Sequence, residues 1–135
     1  MTSECNFVSV RARLMPDSEN FYVYLADGTY EAYVNLFPTE VVFDHSGGSD
    51  VSSINTSDFH WYSIRLVNGR VSYSLDGVEI FSGVANLEGS IPGSTSDPTL
   101  KYLFIGDIWG SGDRGVGSVA IDDVIISTPI LLPRD

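Results

Sequence analysis

Alternation constrains this chain more than any other feature. Apolar and polar side chains trade places at every second residue through most of the sequence. Successive side chains of an extended strand point to opposite faces, so this period marks strands with one buried face. In FVSVRARL, Val8, Val10, Ala12 and Leu14 share one side, and Ser9, Arg11 and Arg13 the other. In FYVYLA, Phe21, Val23 and Leu25 oppose Tyr22 and Tyr24. TYEAYVNLF sets Tyr30, Ala32, Val34 and Leu36 against Glu31, Tyr33 and Asn35. FHWYSIRLV places Tyr62, Ile64 and Leu66 opposite Trp61 and Arg65, and RVSYSL answers with Val71, Tyr73 and Leu75. Tyr62 and Tyr73 then fall in neighbouring strands, where a cross-strand aromatic pair is expected. Shorter runs at 39–43, 78–81, 100–105 and 117–127 complete a set of about nine strands.

Asp27-Gly28, Asn68-Gly69 and Asp76-Gly77 punctuate the pattern. Such pairs suit two-residue hairpins because both central positions of the favoured turn want positive φ. Polar or glycine-rich stretches at 15–20, 44–58, 85–99 and 107–117 read as loops, and 129–135 as a tail or linker. No helical stripe of ten residues occurs. The expected architecture is all-β, an antiparallel sandwich or closed barrel over residues 1–128 followed by the tail, with the two-sheet jelly-roll sandwich as the preferred form. A chain of 135 residues buries a sufficient core without a metal or disulfide staple.

The charge balance excludes some partners. Eighteen acidic residues against 7 basic ones give a net charge of −11. Phosphate backbones and anionic bilayers attract the opposite sign, so neither nucleic acid nor a membrane surface is an expected partner. No apolar run approaches the roughly 18 residues of a spanning helix. Residues 1–14 carry neither the basic nor the apolar region of a signal peptide. The single Cys5 leaves no intrachain disulfide and has no matched histidine that would suggest a nucleophile.

Tyr22, Tyr24, Tyr33 and Trp61 occupy the polar phase of their strands, together with Arg11, Arg13, Glu31 and Arg65. Sugar rings stack on aromatic faces while charged side chains bind hydroxyls, so these residues read as a shallow glycan groove. The competing explanation is that aromatics are simply favoured in strands. Trp109, in a glycine-rich stretch, reads as a further binding residue. The expected ligand-binding set is Tyr24, Tyr33, Trp61, Arg65 and Trp109. Asp107 and Asp122, with Asp123 beside the latter, are candidate calcium ligands. No D-x-D-x-D-G loop accompanies them, and Asp122 could equally cap amides at a bulge or sheet edge. His45 and His60 form no metal or triad pattern. No G-x-S-x-G, H-E-x-x-H or P-loop occurs, so no catalytic residue is assigned.

Three stretches resemble the concanavalin A-like lectin/glucanase superfamily, and within it laminin G-like (LamG) jelly rolls. They are Asp58 to Leu66 (DFHWYSIRL), Gly69 to Ile80 (GRVSYSLDGVEI), and Ile105-Gly106-Asp107 followed by Gly117 to Val124 (GSVAIDDV). The resemblance spans residues 58–127 and speaks to fold more than to activity. It implies a non-catalytic module of a larger secreted or cell-surface protein, binding a glycan or an extracellular protein, with calcium as a candidate cofactor. Retaining glucanases of the superfamily resemble E-x-D-x-x-E on one strand, and that motif is absent here. A polysaccharide hydrolase or lyase using Glu31, His60 or Arg65 remains the enzymatic alternative. A structural or assembly domain without a small ligand is the third reading.

Overall fold

The computed structural model describes residues 2–16, 18, 20–87, 102–106 and 119–133. Every regular element among them is a strand. In chain order these are β1 (Thr2–Leu14), β2 (Phe21–Ala26), β3 (Tyr30–Phe37), β4 (Glu40–His45), β5 (Gly48–Ser53), β6 (His60–Val67), β7 (Arg70–Leu75), β8 (Val78–Val84), β9 (Asn86–Leu87), β10 (Tyr102–Gly106) and β11 (Val119–Pro133). The five-stranded sheet has the order β11-β1-β6-β7-β8. The six-stranded sheet has the order β10-β2-β3-β4-β5, with β9 paired to β3. All pairings are antiparallel.

The alternation decides which face each strand buries. Val8, Val10, Ile64 and Leu66 from one sheet meet Val34, Leu36, Val41 and Phe43 from the other, all without solvent exposure. Each such side chain contributes about 1.5–3 kcal/mol on leaving water. Tyr73 spans the gap between the sheets. Its ring lies 5.4 Å from Phe43, and its hydroxyl accepts from the Tyr33 N–H at 2.9 Å and donates to the Asp44 carbonyl. Tyr33 and Asp44 are register partners on β3 and β4, so a side chain of the opposite sheet occupies their ladder position. The expected Tyr62–Tyr73 pair is not the register found: Tyr73 faces Ile64 and Tyr62 faces Leu75.

Two of the three hairpin turns follow expectation. Asn68 and Gly69 have φ of 50° and 77°, and Asp76 and Gly77 have 51° and 82°. Glycine is doubly required at 69, because a Cβ there would lie 2.7 Å from the Tyr30 ring. The first turn differs. Its central residues are Gly28 and Thr29, and Asp27 caps it by accepting at Oδ1 from the Thr29 and Tyr30 amides at 2.9 and 2.8 Å. Asp76 also reaches beyond its own turn. Its Oδ1 accepts from the Trp61 amide at 2.8 Å, and its Oδ2 lies 2.6 Å from His60 Nδ1. Asp76→Ala loses these bonds and places a Cβ-bearing residue without local hydrogen bonding at positive φ. It is expected to cost about 2 kcal/mol, read as a lower urea midpoint, while Asp76→Asn costs about half as much.

Two segments expected as irregular are strands. Within the polar stretch 44–58, β5 pairs along β4 from Glu40↔Ser53 to His45↔Gly48. It is an edge strand with polar residues on both faces, so pairing of its backbone rather than apolar alternation holds it. The 129–135 tail is likewise corrected, because β11 continues to Pro133 and pairs with Thr2. Thr128 and Pro129 together oppose Asn6, where the register shifts between Cys5↔Ile130 and Phe7↔Ser127. A proline lacking an amide proton is tolerated at such a bulge on an edge strand.

Candidate functional site

The expected binding residues divide between two surfaces on opposite sides of the core. Tyr24 and Tyr33 belong to the outer face of the six-stranded sheet, whereas Trp61 and Arg65 belong to the outer face of the five-stranded sheet. The single groove expected from sequence is therefore corrected to two faces. Period-two alternation states which residues share a face of one strand, but not which strands share a sheet. Trp109 and Asp107 lie outside the described residues.

On the six-stranded sheet, register aligns two rows across four strands. One row runs Tyr24, Tyr33, Asp44, Ser49; the other runs Tyr22, Asn35, Val42, Val51. The two rows differ in depth along their length. Tyr22, Tyr24, Ala26 and Tyr33 form a buried cluster, with Tyr24 only 1 % exposed, while Ser49 and Val51 stand in solvent. Tyr24 is thus an interior residue, correcting its expected role as an open stacking platform. Its hydroxyl donates to Glu31, which is fully buried. Tyr22 and Tyr33 stack with centroids 5.2 Å apart, and Asn20 Nδ2 donates to the Tyr22 hydroxyl at 3.2 Å.

Asn35 sits between this recess and the open end. It is only 5 % exposed, and its side-chain carbonyl Oδ1 finds no donor among the described residues. A buried acceptor left unmatched costs about 1–3 kcal/mol. Beside it, burial pushes the Tyr33 hydroxyl above the usual phenol range, with the adjacent Tyr22 adding to the shift. Burial also raises the Asp44 carboxyl, opposed by the Ser49 hydroxyl that donates to its Oδ1 at 3.2 Å. The patch therefore offers an unmatched carbonyl, a carboxyl group, a hydroxyl and a recessed aromatic pair within one strand-to-strand neighbourhood. Asn35, Asp44 and Ser49 were not singled out from sequence. The signal for Asn35 was present, since it shares the phase of Tyr33. Asp44 and Ser49 were hidden in the stretch taken as a loop.

The groups of the enzymatic alternative do not converge. Glu31 is sealed beneath the six-stranded sheet's outer face. Arg65 is on the opposite sheet. His60 is held by Asp76, with its Nε2 3.0 Å from the Asn55 carbonyl. Among the described residues no group of three histidine, cysteine, aspartate or glutamate side chains is placed to hold a metal ion. Asp122 is the extra residue of a bulge between Arg11↔Asp123 and Ala12↔Ile121, and its Oδ2 meets Arg11 Nη1 at 2.5 Å. A guanidinium at that carboxylate opposes a dication there.

Among solved structures, galectin LEC-6 of Caenorhabditis elegans aligns with a TM-score of 0.58 and 13% identity, covering 91% of this chain and 82% of that chain. Sheep galectin-11, in a complex with glycerol, aligns with a TM-score of 0.48 and 12% identity, covering 91% of this chain and 90% of that one. No family model and no curated protein matches the sequence. The likeness to LEC-6 shows a shared fold, consistent with the expected antiparallel two-sheet jelly-roll sandwich.

Proposed function

We propose that this protein is a non-catalytic carbohydrate-binding module whose ligand lies on the outer face of the six-stranded sheet, over β3, β4 and β5. One observation carries the reading: the buried Asn35 carbonyl, with no donor among the described residues, opposite Tyr22 of the Tyr22–Tyr33 stack and one row from the Asp44–Ser49 pair. A sugar hydroxyl supplies the missing donor. Asp44 and Ser49 engage further hydroxyls, and an apolar sugar face covers the rim of the aromatic recess. The narrower kinship with laminin G-like domains, and a setting outside the cell within a larger protein, rest on the three strand motifs between residues 58 and 127.

A glycan array followed by calorimetry on the retained sugar tests this. Asn35→Ala is expected to weaken binding about tenfold, the equivalent of about 1.4 kcal/mol, with an unchanged far-ultraviolet spectrum. Asp44→Ala is expected to weaken it at least as much. Retention of no neutral glycan, or affinity indifferent to Asn35→Ala, overturns the reading.

A further inference from the structure

The outer face of the six-stranded sheet is one-sided in charge. Along β4 its outward residues are Glu40, Val42 and Asp44, opposite Ser53, Val51 and Ser49 of β5. Four residues of extended strand set the two carboxylates about 13 Å apart, with the valine pair between them. Asn35 faces Val42 across the β3–β4 ladder. It is therefore diagonal to both carboxylates, at about 7–8 Å by strand geometry. No arginine or lysine among the described residues lies on this sheet, since Arg11, Arg13, Arg65 and Arg70 belong to the other. Asp44 accepts from the Ser49 hydroxyl at 3.2 Å and from the His45 amide, both neutral donors. The His45 ring itself meets Asp50 at 3.0 Å and stacks on Phe81.

We propose that the glycan of this site is an amino sugar, a hexosamine chain with free ammonium groups laid along β4 with its amines toward Asp44 and Glu40. The inference rests on the carbohydrate-binding reading above and narrows it to one class of sugar. The groups that the surface leaves to a ligand here are acceptors: two carboxylates and the Asn35 carbonyl, which is buried and has no donor among the described residues. A ligand must therefore bring the donors. A hydroxyl brings one N–H equivalent and lone pairs of its own, whereas an ammonium brings three donors and a positive charge. Charge-assisted bonds to a carboxylate are the stronger kind. Burial holds the Asp44 carboxyl above its ordinary range, and a cation beside it offsets that cost. Between the carboxylates, Val42 and the more than half-exposed Val51 offer an apolar patch for the C–H face of a sugar ring. The serine hydroxyls of β5 flank it and suit ring hydroxyls rather than the methylene stems of a basic peptide. The net charge of −11 draws a polycation toward the surface from a distance.

Calorimetry on the whole chain with three probes tests this: a hexamer of β-1,4-linked glucosamine, the same hexamer fully N-acetylated, and a lysine hexamer. The glucosamine hexamer is expected to bind about tenfold tighter than the acetylated one, and the ratio should shrink with added salt. Asp44→Asn should bring the ratio close to one, which a merely steric effect of the acetyl group would not do. Glu40→Gln should lower it by a smaller factor. Glu79→Gln, on β8 of the opposite sheet, removes the same charge and should leave the ratio as it is. A ratio near one in the unaltered protein, a ratio indifferent to Asp44→Asn, or a lysine hexamer bound as tightly as the amino sugar overturns the inference. The two readings fail separately. A neutral glycan retained on the array and sensitive to Asn35→Ala, with no gain from a free amine, sinks the amino-sugar assignment and leaves the site. Retention of neither form sinks both.

Discussion

Replacing Tyr73 by phenylalanine is expected to destabilise the fold by about 3 kcal/mol, although the substitution removes a single oxygen. That hydroxyl is the partner of both the Tyr33 N–H and the Asp44 C=O, two backbone groups otherwise facing each other in the β3–β4 ladder. Phenylalanine leaves both without a partner in a site that excludes water, and each unmatched group costs about 1–3 kcal/mol. Tyr62 is the internal comparison. It too is fully buried, but its hydroxyl has no hydrogen-bond partner among the described residues. Tyr62→Phe removes an unsatisfied group, so it is expected to be neutral or stabilising by up to about 1 kcal/mol. Urea unfolding of the two variants settles the matter. A Tyr73→Phe midpoint no lower than that of Tyr62→Phe would show that the hydroxyl does not join the sheets. An unchanged slope is expected, because the surface exposed on unfolding is the same.

The second large effect is alkaline collapse. Burial raises the hydroxyls of Tyr33, Tyr62 and Tyr73 above the ordinary phenol value of 10.0. Their folded-state values exceed the unfolded ones, so the folded state holds these protons more tightly. Their contribution is fully present below pH 10 and falls as the pH rises above it. Three such groups remove up to about 4 kcal/mol of stability per pH unit beyond that point, less whatever solvent screens at Tyr33 and Tyr62. A domain of ordinary stability, about 5–15 kcal/mol, therefore unfolds cooperatively within roughly two to three units. Phenolate absorbance from Tyr33, Tyr62 and Tyr73 should rise together with the loss of the β-sheet circular dichroism signal. Smooth titration of all 7 tyrosines near pH 10 with the sheet intact would contradict the burial described here.

The sandwich was legible in the sequence because one local rule suffices for it. Val8, Val10 and Ala12, or Tyr62, Ile64 and Leu66, recur at every second residue and are the side chains found between the sheets. Asn68-Gly69 and Asp76-Gly77 adopt the positive φ values that their residue types favour. Legibility failed where the local signal was ambiguous. At β5, serines and an aspartate fill an edge strand held by its pairing to β4. At Pro129, a bulge absorbs a residue that would end an interior strand.

The sites were less legible than the fold. Tyr24 and Tyr33 share the polar phase with Trp61 and Arg65, yet the sheet order turns the two pairs to opposite sides of the core. Asn35 and Asp44 gain meaning only once β3 and β4 are in register with the stacked tyrosines alongside. Composition and alternation by themselves determined an acidic, all-β sandwich and the inward face of most of its strands. Those properties follow from the two-residue period of an extended backbone, which each strand obeys independently. Only the tertiary structure decided which strands are neighbours and which outward residues share a surface. It likewise decided that a tyrosine of one sheet completes the ladder of the other. Those depend on contacts between residues far apart in the chain, such as the forty residues from Tyr33 to Tyr73, about which no local pattern carries information.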